Sequence, residues 1–161
     1  VRLGDGENIQ DKIVLLDFGA IRQFDAQLLK VARNLIKAGY DHNAETMVNA
    51  MTGYEFFDGM PLSIKPDMAK VFLLATEAFS SKENNPDLPE GVMDDLQRYD
   101  WKKSQLHSRV MQRASKSMAS RYFSVPPKEF MFISRKFIGA YNFMTVMEEK
   151  TNVRKIIQPF I

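Results

Sequence analysis

The sequence contains no cysteine, which excludes a disulfide framework, a thiolate metal site and a cysteine nucleophile. Its two histidines, His42 and His107, lie far apart and have no metal-ligand spacing around them. We expect His42 to belong to a helix start and His107 to lie on the surface. No stretch has the basic start, apolar middle and small-residue end of a signal peptide, and Arg135 and Lys136 interrupt the longest apolar helical pattern.

Acidic residues are scarce in the second part of the chain. Residues 1–100 hold ten Lys/Arg and seventeen Asp/Glu, whereas residues 101–161 hold twelve and three. Between Trp101 and Lys128 there is no acidic residue, and Arg109, Arg113 and Lys116 share a helical face at i, i+4 and i+7 spacing. This asymmetry predicts contact with an anionic surface, or with the acidic part of the same fold, and both interpretations stay open. Nucleic acid is not expected, because the basic residues flank an apolar arc without interleaved aromatics.

A short motif with possible chemistry follows the apolar run Lys12-Ile13-Val14-Leu15-Leu16. Such a run is typical of a strand buried on both faces. The next residues are Asp17-Phe18-Gly19, a carboxylate at a strand end followed by a glycine that frees the backbone. Kinases use this local geometry to hold magnesium against ATP phosphates. The alternative is a strand-end aspartate that caps a turn and does no chemistry.

The remaining patterns predict one mainly α domain over residues 1–161. We expect a β-hairpin and the Asp-Phe-Gly segment in residues 1–24, with a return strand at Lys12–Asp17, and helices in residues 25–161. Helix caps, breakers and apolar spacing predict the following in the first part: a helix capped by Asp25 and stopped at Gly39, one after Asp41-His42-Asn43 that ends at Gly53, and one with Pro66 in its first turn. They then predict a loop from Ser80 to Gly91, a short helix holding Val92, Met93 and Leu96, and a helix over Ser104–Ala119. The last and longest predicted helix runs from Pro126-Pro127 to Glu149 and is apolar nearly all round, which is typical of a central helix.

Several short motifs stand in order along the chain: Lys12 to Phe24, Thr52-Gly53-Tyr54-Glu55, Glu77-Ala78-Phe79, Pro126-Pro127-Lys128-Glu129-Phe130 and Ser134-Arg135-Lys136-Phe137-Ile138-Gly139. Together they resemble the UbiB/AarF family of atypical kinase-like proteins. Within the first motif, Ala20, Arg22 and Phe24 match positions that ordinary protein kinases fill differently. One position departs from the family pattern, because Ser134 stands where a histidine is expected.

The resemblance implies the C-terminal lobe of a protein-kinase-like fold, a helical bundle whose short N-terminal hairpin carries the Asp-Phe-Gly motif. It implies ATP and magnesium as cofactors of the full-length protein. Asp17 would chelate magnesium, Phe18 would pack to orient it and Gly19 would allow the backbone turn. It also implies a role in ubiquinone or isoprenoid-lipid metabolism. The protein would work at the cytoplasmic face of a bacterial inner membrane, or in mitochondria or plastids, with ubiquinone-biosynthesis proteins or an anionic membrane as partners.

Kinase chemistry also needs a phosphate-covering loop, a lysine on the phosphates, a catalytic aspartate and an asparagine for a second metal. The chain contains no glycine-rich phosphate loop, and in this family these parts precede the hairpin. We therefore expect a piece of a longer protein whose N-terminal lobe is missing and which does not hydrolyse ATP alone. Two alternatives stay open: a helical membrane- or protein-docking module acting through residues 101–128, and a pseudokinase lobe that binds nucleotide without turnover.

Overall fold

The computed structural model of the chain describes residues 2–3, 10–11, 23–118 and 128–161, with side chains over 23–115 and 128–161. These residues are mainly helical, as predicted. The strands and helices are β1 (Arg2–Leu3), β2 (Gln10–Asp11), α1 (Ala26–Asp41), α2 (Ala44–Ala50), α3 (Glu55–Asp58), α4 (Lys65–Ala75), a 3₁₀ turn (Glu77–Phe79), β3 (Tyr99–Asp100), α5 (Trp101–Ser104), α6 (Leu106–Met118), α7 (Lys128–Met147), β4 (Lys150–Thr151), α8 (Val153–Ile157) and a 3₁₀ turn (Gln158–Phe160).

The described chain has two short antiparallel pairings. In the first, Arg2 pairs with Asp11 and Leu3 with Gln10, which agrees with antiparallel pairing near the N-terminus but uses Gln10–Asp11 as the partner strand. The predicted return strand, Lys12–Asp17, lies outside the described residues. In the second pairing, Tyr99 of β3 faces Thr151 of β4, so the segment after α7 is tied to the middle of the chain.

Helix α1 begins as predicted and ends later than predicted. Asp25 caps it, because its carboxylate accepts a hydrogen bond of 2.7 Å from the backbone amide of Leu28. The predicted stop at Gly39 is wrong: the helix continues to Asp41 and ends at His42, whose φ of 47° is left-handed. Gly39 is buried in the helix, and a Cβ at this position would overlap the side chain of Thr76. The glycine therefore permits a close approach of helices and does not end one.

We expect Gly39→Ala to lower the free energy of unfolding by about 1–3 kcal/mol, as for other overpacked interiors. Thr76 cannot move aside easily, because it is buried and its hydroxyl donates a 2.8 Å hydrogen bond to the carbonyl of Phe72. Gly139→Ala is the matched control, since a Cβ there meets nothing within 4 Å, and removing a helical glycine should stabilise by about 0.5–1 kcal/mol. Urea denaturation measures the free energy of unfolding of both variants. Equal free energies of unfolding for Gly39→Ala and Gly139→Ala would contradict the close approach of Thr76 to Gly39.

The first core cluster joins α1, α2, α3 and α4. Helix α2 is capped by Asn43 and ends at Ala50, earlier than the predicted stop at Gly53, and α4 carries Pro66 in its first turn as predicted. The buried members of this cluster are Val31, Leu35, Ala38, Met47, Ala50, Met51, Phe57, Ala69 and Leu73. Phe130, from the first turn of α7, packs against it.

The second core cluster lies around β3 and α5. Its buried members are Ala78, Phe79, Val92, Met93, Tyr99, Trp101, Leu106 and Tyr141. The predicted loop over 80–91 is confirmed, whereas the predicted short helix at Val92–Leu96 is wrong. Met93 instead forms an isolated bridge with Tyr99, and the Asp94 carboxylate accepts hydrogen bonds from the backbone amides of Leu96 and Arg98. An aspartate that satisfies nearby amides favours a turn over a helix.

Helices α6 and α7 have nearly the predicted bounds, but α7 is not central. Tyr141 is its one buried residue among those described, and Phe143, Val146 and Met147 are exposed. The helix packs at two places, through Phe130 on the first cluster and through Tyr141 on the second, which leaves much of its apolar surface uncovered. No helix in the described ranges combines the length and apolarity needed to cross a membrane.

Candidate functional site

A buried carboxylate links the second cluster to α6. Glu77 lies in the 3₁₀ turn after α4, and its side chain is only 3% exposed. Burial of a carboxylate is unfavourable unless hydrogen bonds and opposite charge compensate it. Both of its oxygens have such partners, from residues that are distant in sequence.

Tyr99 supplies one of these partners. Its hydroxyl donates a 2.6 Å hydrogen bond to Oε1 of Glu77. Burial, together with the negative charge of Glu77, raises the pKa of Tyr99 far above its ordinary value. Burial likewise raises the pKa of Tyr141, whose hydroxyl donates to the backbone carbonyl of Ala75. Both tyrosines therefore stay neutral and act as hydrogen-bond donors.

Arg109 supplies the compensating charge. Its two terminal nitrogens donate to the two Glu77 oxygens, over 2.8 Å to Oε1 and 2.6 Å to Oε2. The hydrogen bond to Glu77 raises the pKa of Arg109 above its usual value, even though partial burial opposes the charge. A bidentate pair of this kind fixes orientation as well as neutralising charge. The arrangement thus holds α6 against the end of α4.

The three basic residues predicted to meet an anionic surface have different surroundings. Arg109 is engaged with Glu77, so its guanidinium neutralises the fold's own carboxylate. Arg113 is exposed one turn further along α6. Lys116 lies within the helical bounds of α6, and its side chain is outside the described part of the chain. The structure therefore shows that Arg109, at least, serves the fold's own acidic residue.

The predicted nucleotide motif, Asp17-Phe18-Gly19, lies outside the described residues. Its proposed roles remain predictions. Among the described residues, no three or more histidine, aspartate or glutamate side chains gather where they could hold a metal ion.

Comparison with known proteins gives one distant similarity to report. No protein-family model and no solved structure matches it. It is similar to the atypical kinase coq-8, a mitochondrial protein of Caenorhabditis elegans, with 24% identity over 133 residues. The aligned region covers 82% of this chain and 16% of that protein. This distant similarity supports a UbiB-like, kinase-related relationship, and the chain spans only a small part of its relative.

The histidines occupy positions that differ from the predictions. His42 does not start a helix: it ends α1, and the next residue, Asn43, caps α2. Its Nδ1 is buried without a hydrogen-bond partner in the described structure, and burial lowers its pKa although Asp87 and Glu77 oppose the shift. His107 is half-buried and lines a cavity, so the predicted surface position is only partly right.

Sequence reasoning missed the Glu77–Tyr99–Arg109 arrangement. A carboxylate within the apolar stretch Ala75-Thr76-Glu77-Ala78-Phe79 was the available signal, because a charge there needs a partner if the stretch is buried. The partners could not be identified, since Tyr99 follows Glu77 by 22 residues and Arg109 by 32, with an irregular loop between them.

Proposed function

We propose that this chain is the C-terminal part of an atypical ATP-dependent kinase or ATPase of the UbiB type. The observation that carries the proposal is the similarity to an atypical kinase over 82% of the chain. The Asp-Phe-Gly motif after an apolar run and the mainly helical fold agree with it. On the family resemblance, the process served is ubiquinone or isoprenoid-lipid metabolism, at a bacterial inner membrane or in mitochondria or plastids.

Asp17 is the residue we assign to the nucleotide. Magnesium in kinase sites is bound through one or two carboxylates together with substrate phosphates and water, so a single carboxylate from this chain fits part of such a site. When bound, magnesium would neutralise charge on the ATP phosphates. Phe18 would pack to orient the Asp17 carboxylate, and Gly19 would let the backbone turn beside it.

Mg-ATP binding by the full-length protein tests this assignment. Asp17→Asn should weaken Mg-ATP binding at least about tenfold, because a charged interaction worth about 1.5–3 kcal/mol is lost, and should leave metal-free ATP binding nearly unchanged. Asp5→Asn, at an acidic residue before the apolar run, is the control and should bind as the unchanged protein does. Fluorescence titration of a labelled ATP analogue, with and without magnesium, provides the measurement. Unchanged Mg-ATP affinity in Asp17→Asn would contradict the role of Asp17.

Turnover separates an enzyme from a pseudokinase. We expect the 161-residue chain by itself not to hydrolyse ATP, because it lacks the glycine-rich phosphate loop. Magnesium-dependent binding by the full-length protein without phosphate release would favour the pseudokinase. Turnover by the 161-residue chain that disappears in Asp17→Ala would contradict the expected inactivity.

A second candidate function is docking on an anionic membrane surface through residues 101–128. It is favoured by the absence of acidic residues between Trp101 and Lys128. The test leaves Arg109 unchanged, because its removal would unpair the buried Glu77, and alters the other two predicted residues, Arg113 and Lys116. Changing both to Glu should reduce co-sedimentation with anionic vesicles several-fold, whereas Lys30→Glu with Arg33→Glu, at exposed positions of α1, should reduce it less. Absence of binding at low salt would reject this function.

A further inference from the structure

A cavity of about 510 Å³ lies between the two core clusters. Its lining comes from α1, α3, α4, α6 and α7 and includes Val31 and Phe130, which belong to or pack on the first cluster, and Phe137 and Tyr141, which pack on or belong to the second. Helix α7 is anchored at both ends of this space. Between the anchors, Ile133 and Ile138 face the cavity.

The anchors that hold α7 are aromatic. At one end, Phe130 lies 5.7 Å from Phe57 and 5.8 Å from Phe72, ring centroid to ring centroid. At the other end, Tyr141 lies 5.1 Å from Trp101 and donates its hydroxyl proton to the carbonyl of Ala75. Because both ends are held, the space between them is not closed by a simple shift of the helix.

The lining of the cavity is mostly apolar, and its few hydroxyl groups are not available to a ligand. Three hydroxyl groups occur in its lining, and each is already used within the protein: Thr76 donates to Phe72, Ser134 to Phe130 and Tyr141 to Ala75, in each case to a backbone carbonyl. The volume lies within the range of about 300–1,000 Å³ that is usual for small-molecule sites. An apolar space of this kind holds water poorly and accepts apolar ligands.

Apart from Tyr141, whose hydroxyl stays neutral, the ionisable side chains in the described cavity lining are both of the basic type. They are His107 of α6, which is half-buried, and Arg135 of α7, which is exposed at the rim. No aspartate or glutamate belongs to the described lining. A ligand whose apolar chain fills the interior would therefore find positive charge at the rim for a negatively charged head group.

We propose that this cavity binds one single-chain amphiphile, with its apolar chain between α4 and α7 and its anionic head group at Arg135. The apolar chain fits the lining, and the anionic head group fits the basic rim. Oleate binding is measured without nucleotide or magnesium, so it can be tested apart from the role proposed for Asp17.

Oleate, used below its aggregation concentration, is the probe, and oleyl alcohol is the uncharged comparison. Calorimetric titration should show one saturable site for oleate and weaker binding of the alcohol. Ala114→Leu fills the lining on α6 and should weaken oleate binding at least about tenfold, since the added atoms occupy the ligand's space. Ala140→Leu is the matched control, because Ala140 is exposed on α7 and outside the described lining.

The head-group position has its own pair of variants. Arg135→Gln should weaken oleate binding by about two- to fivefold, as for an exposed ion pair, and leave oleyl alcohol binding unchanged. Lys136→Gln removes the same charge from the next residue, which is outside the described lining, and should have little effect. Equal affinities for oleate and oleyl alcohol would overturn the assignment of the head group.

Methionine methyl groups provide a test that needs no substitution. The methionines in the described lining are Met60, Met68, Met111 and Met131, whereas Met47 and Met93 are buried elsewhere in the two clusters. NMR with labelled methionine methyls should show contacts between the oleate chain and these four lining residues, and none with Met47 or Met93. This measurement decides the proposal even if Ala114→Leu fails to fold. Contacts confined to other methionines, or an unchanged affinity in folded Ala114→Leu, would overturn the cavity as the binding site.

Discussion

Arg109→Met is expected to lower the free energy of unfolding by about 3–5 kcal/mol, because it leaves a buried carboxylate without its compensating charge. The Glu77 side chain is 3% exposed, and two of its three hydrogen-bond donors are nitrogens of Arg109. Methionine keeps much of the length and apolar packing of the arginine stem. The lost free energy of unfolding therefore comes mainly from the missing positive charge beside Glu77. Chemical denaturation followed by circular dichroism measures it.

Lys102→Met is the matched control for this prediction. Lys102 also forms a short ion pair, 2.7 Å from Glu148, but both side chains are largely exposed. Exposed pairs contribute about 0–1 kcal/mol, because water already solvates both charges. Adding Glu77→Gln to Arg109→Met should restore part of the loss, since the buried charge is removed while Tyr99 keeps an acceptor. A loss in Arg109→Met no larger than that in Lys102→Met would show that Arg109 does not stabilise the fold.

Phe57→Ala is expected to cost about 3–5 kcal/mol, the range for truncating a fully buried aromatic side chain. Phe57 has no exposed surface and lies at the centre of an aromatic group with Phe56, Phe72 and Phe130. Its removal leaves a void beneath the first turn of α7. Hydrogen exchange should therefore speed up in residues 130–134 more than in the last turns of α7, which Tyr141 holds separately.

Phe160→Ala is the comparison for this second prediction. Phe160 lies in the last 3₁₀ turn and is 73% exposed, so its truncation should change stability by no more than about 0.5 kcal/mol. Similar losses in the two variants would contradict the assignment of Phe57 to the core. Unchanged exchange in the first turn of α7 would contradict its anchoring through Phe130.

Two contacts hold the helices that line the proposed amphiphile site. Phe57 and Phe130 hold one end of α7, while Glu77 and Arg109 hold α6 beside the end of α4. The cavity lies between the helices that these contacts fix. A change at the Glu77–Arg109 contact is therefore expected to disturb the amphiphile site through the position of a helix, because neither residue belongs to the described lining, whereas Phe57 and Phe130 do.

Local sequence signals predicted the helix starts correctly where a residue has a single structural role. Asp25 and Asn43 cap α1 and α2 because their side chains accept hydrogen bonds from backbone amides that a helix start leaves unpaired. Pro66 lies in the first turn of α4, where its missing backbone amide costs no hydrogen bond. The same rules failed at Gly39. A glycine is equally suited to ending a helix and to a close approach between helices, and the approach of Thr76 is not visible along the chain.

Patterns along the chain were enough to predict a mainly helical protein and several helix starts, and to indicate a UbiB-like relationship. The pairing of Glu77 with Arg109, the surface position of α7 and the cavity between the two clusters became visible in the folded chain alone. Capping and periodicity depend on residues within a few positions of each other, whereas charge pairing and burial depend on which distant segments pack together.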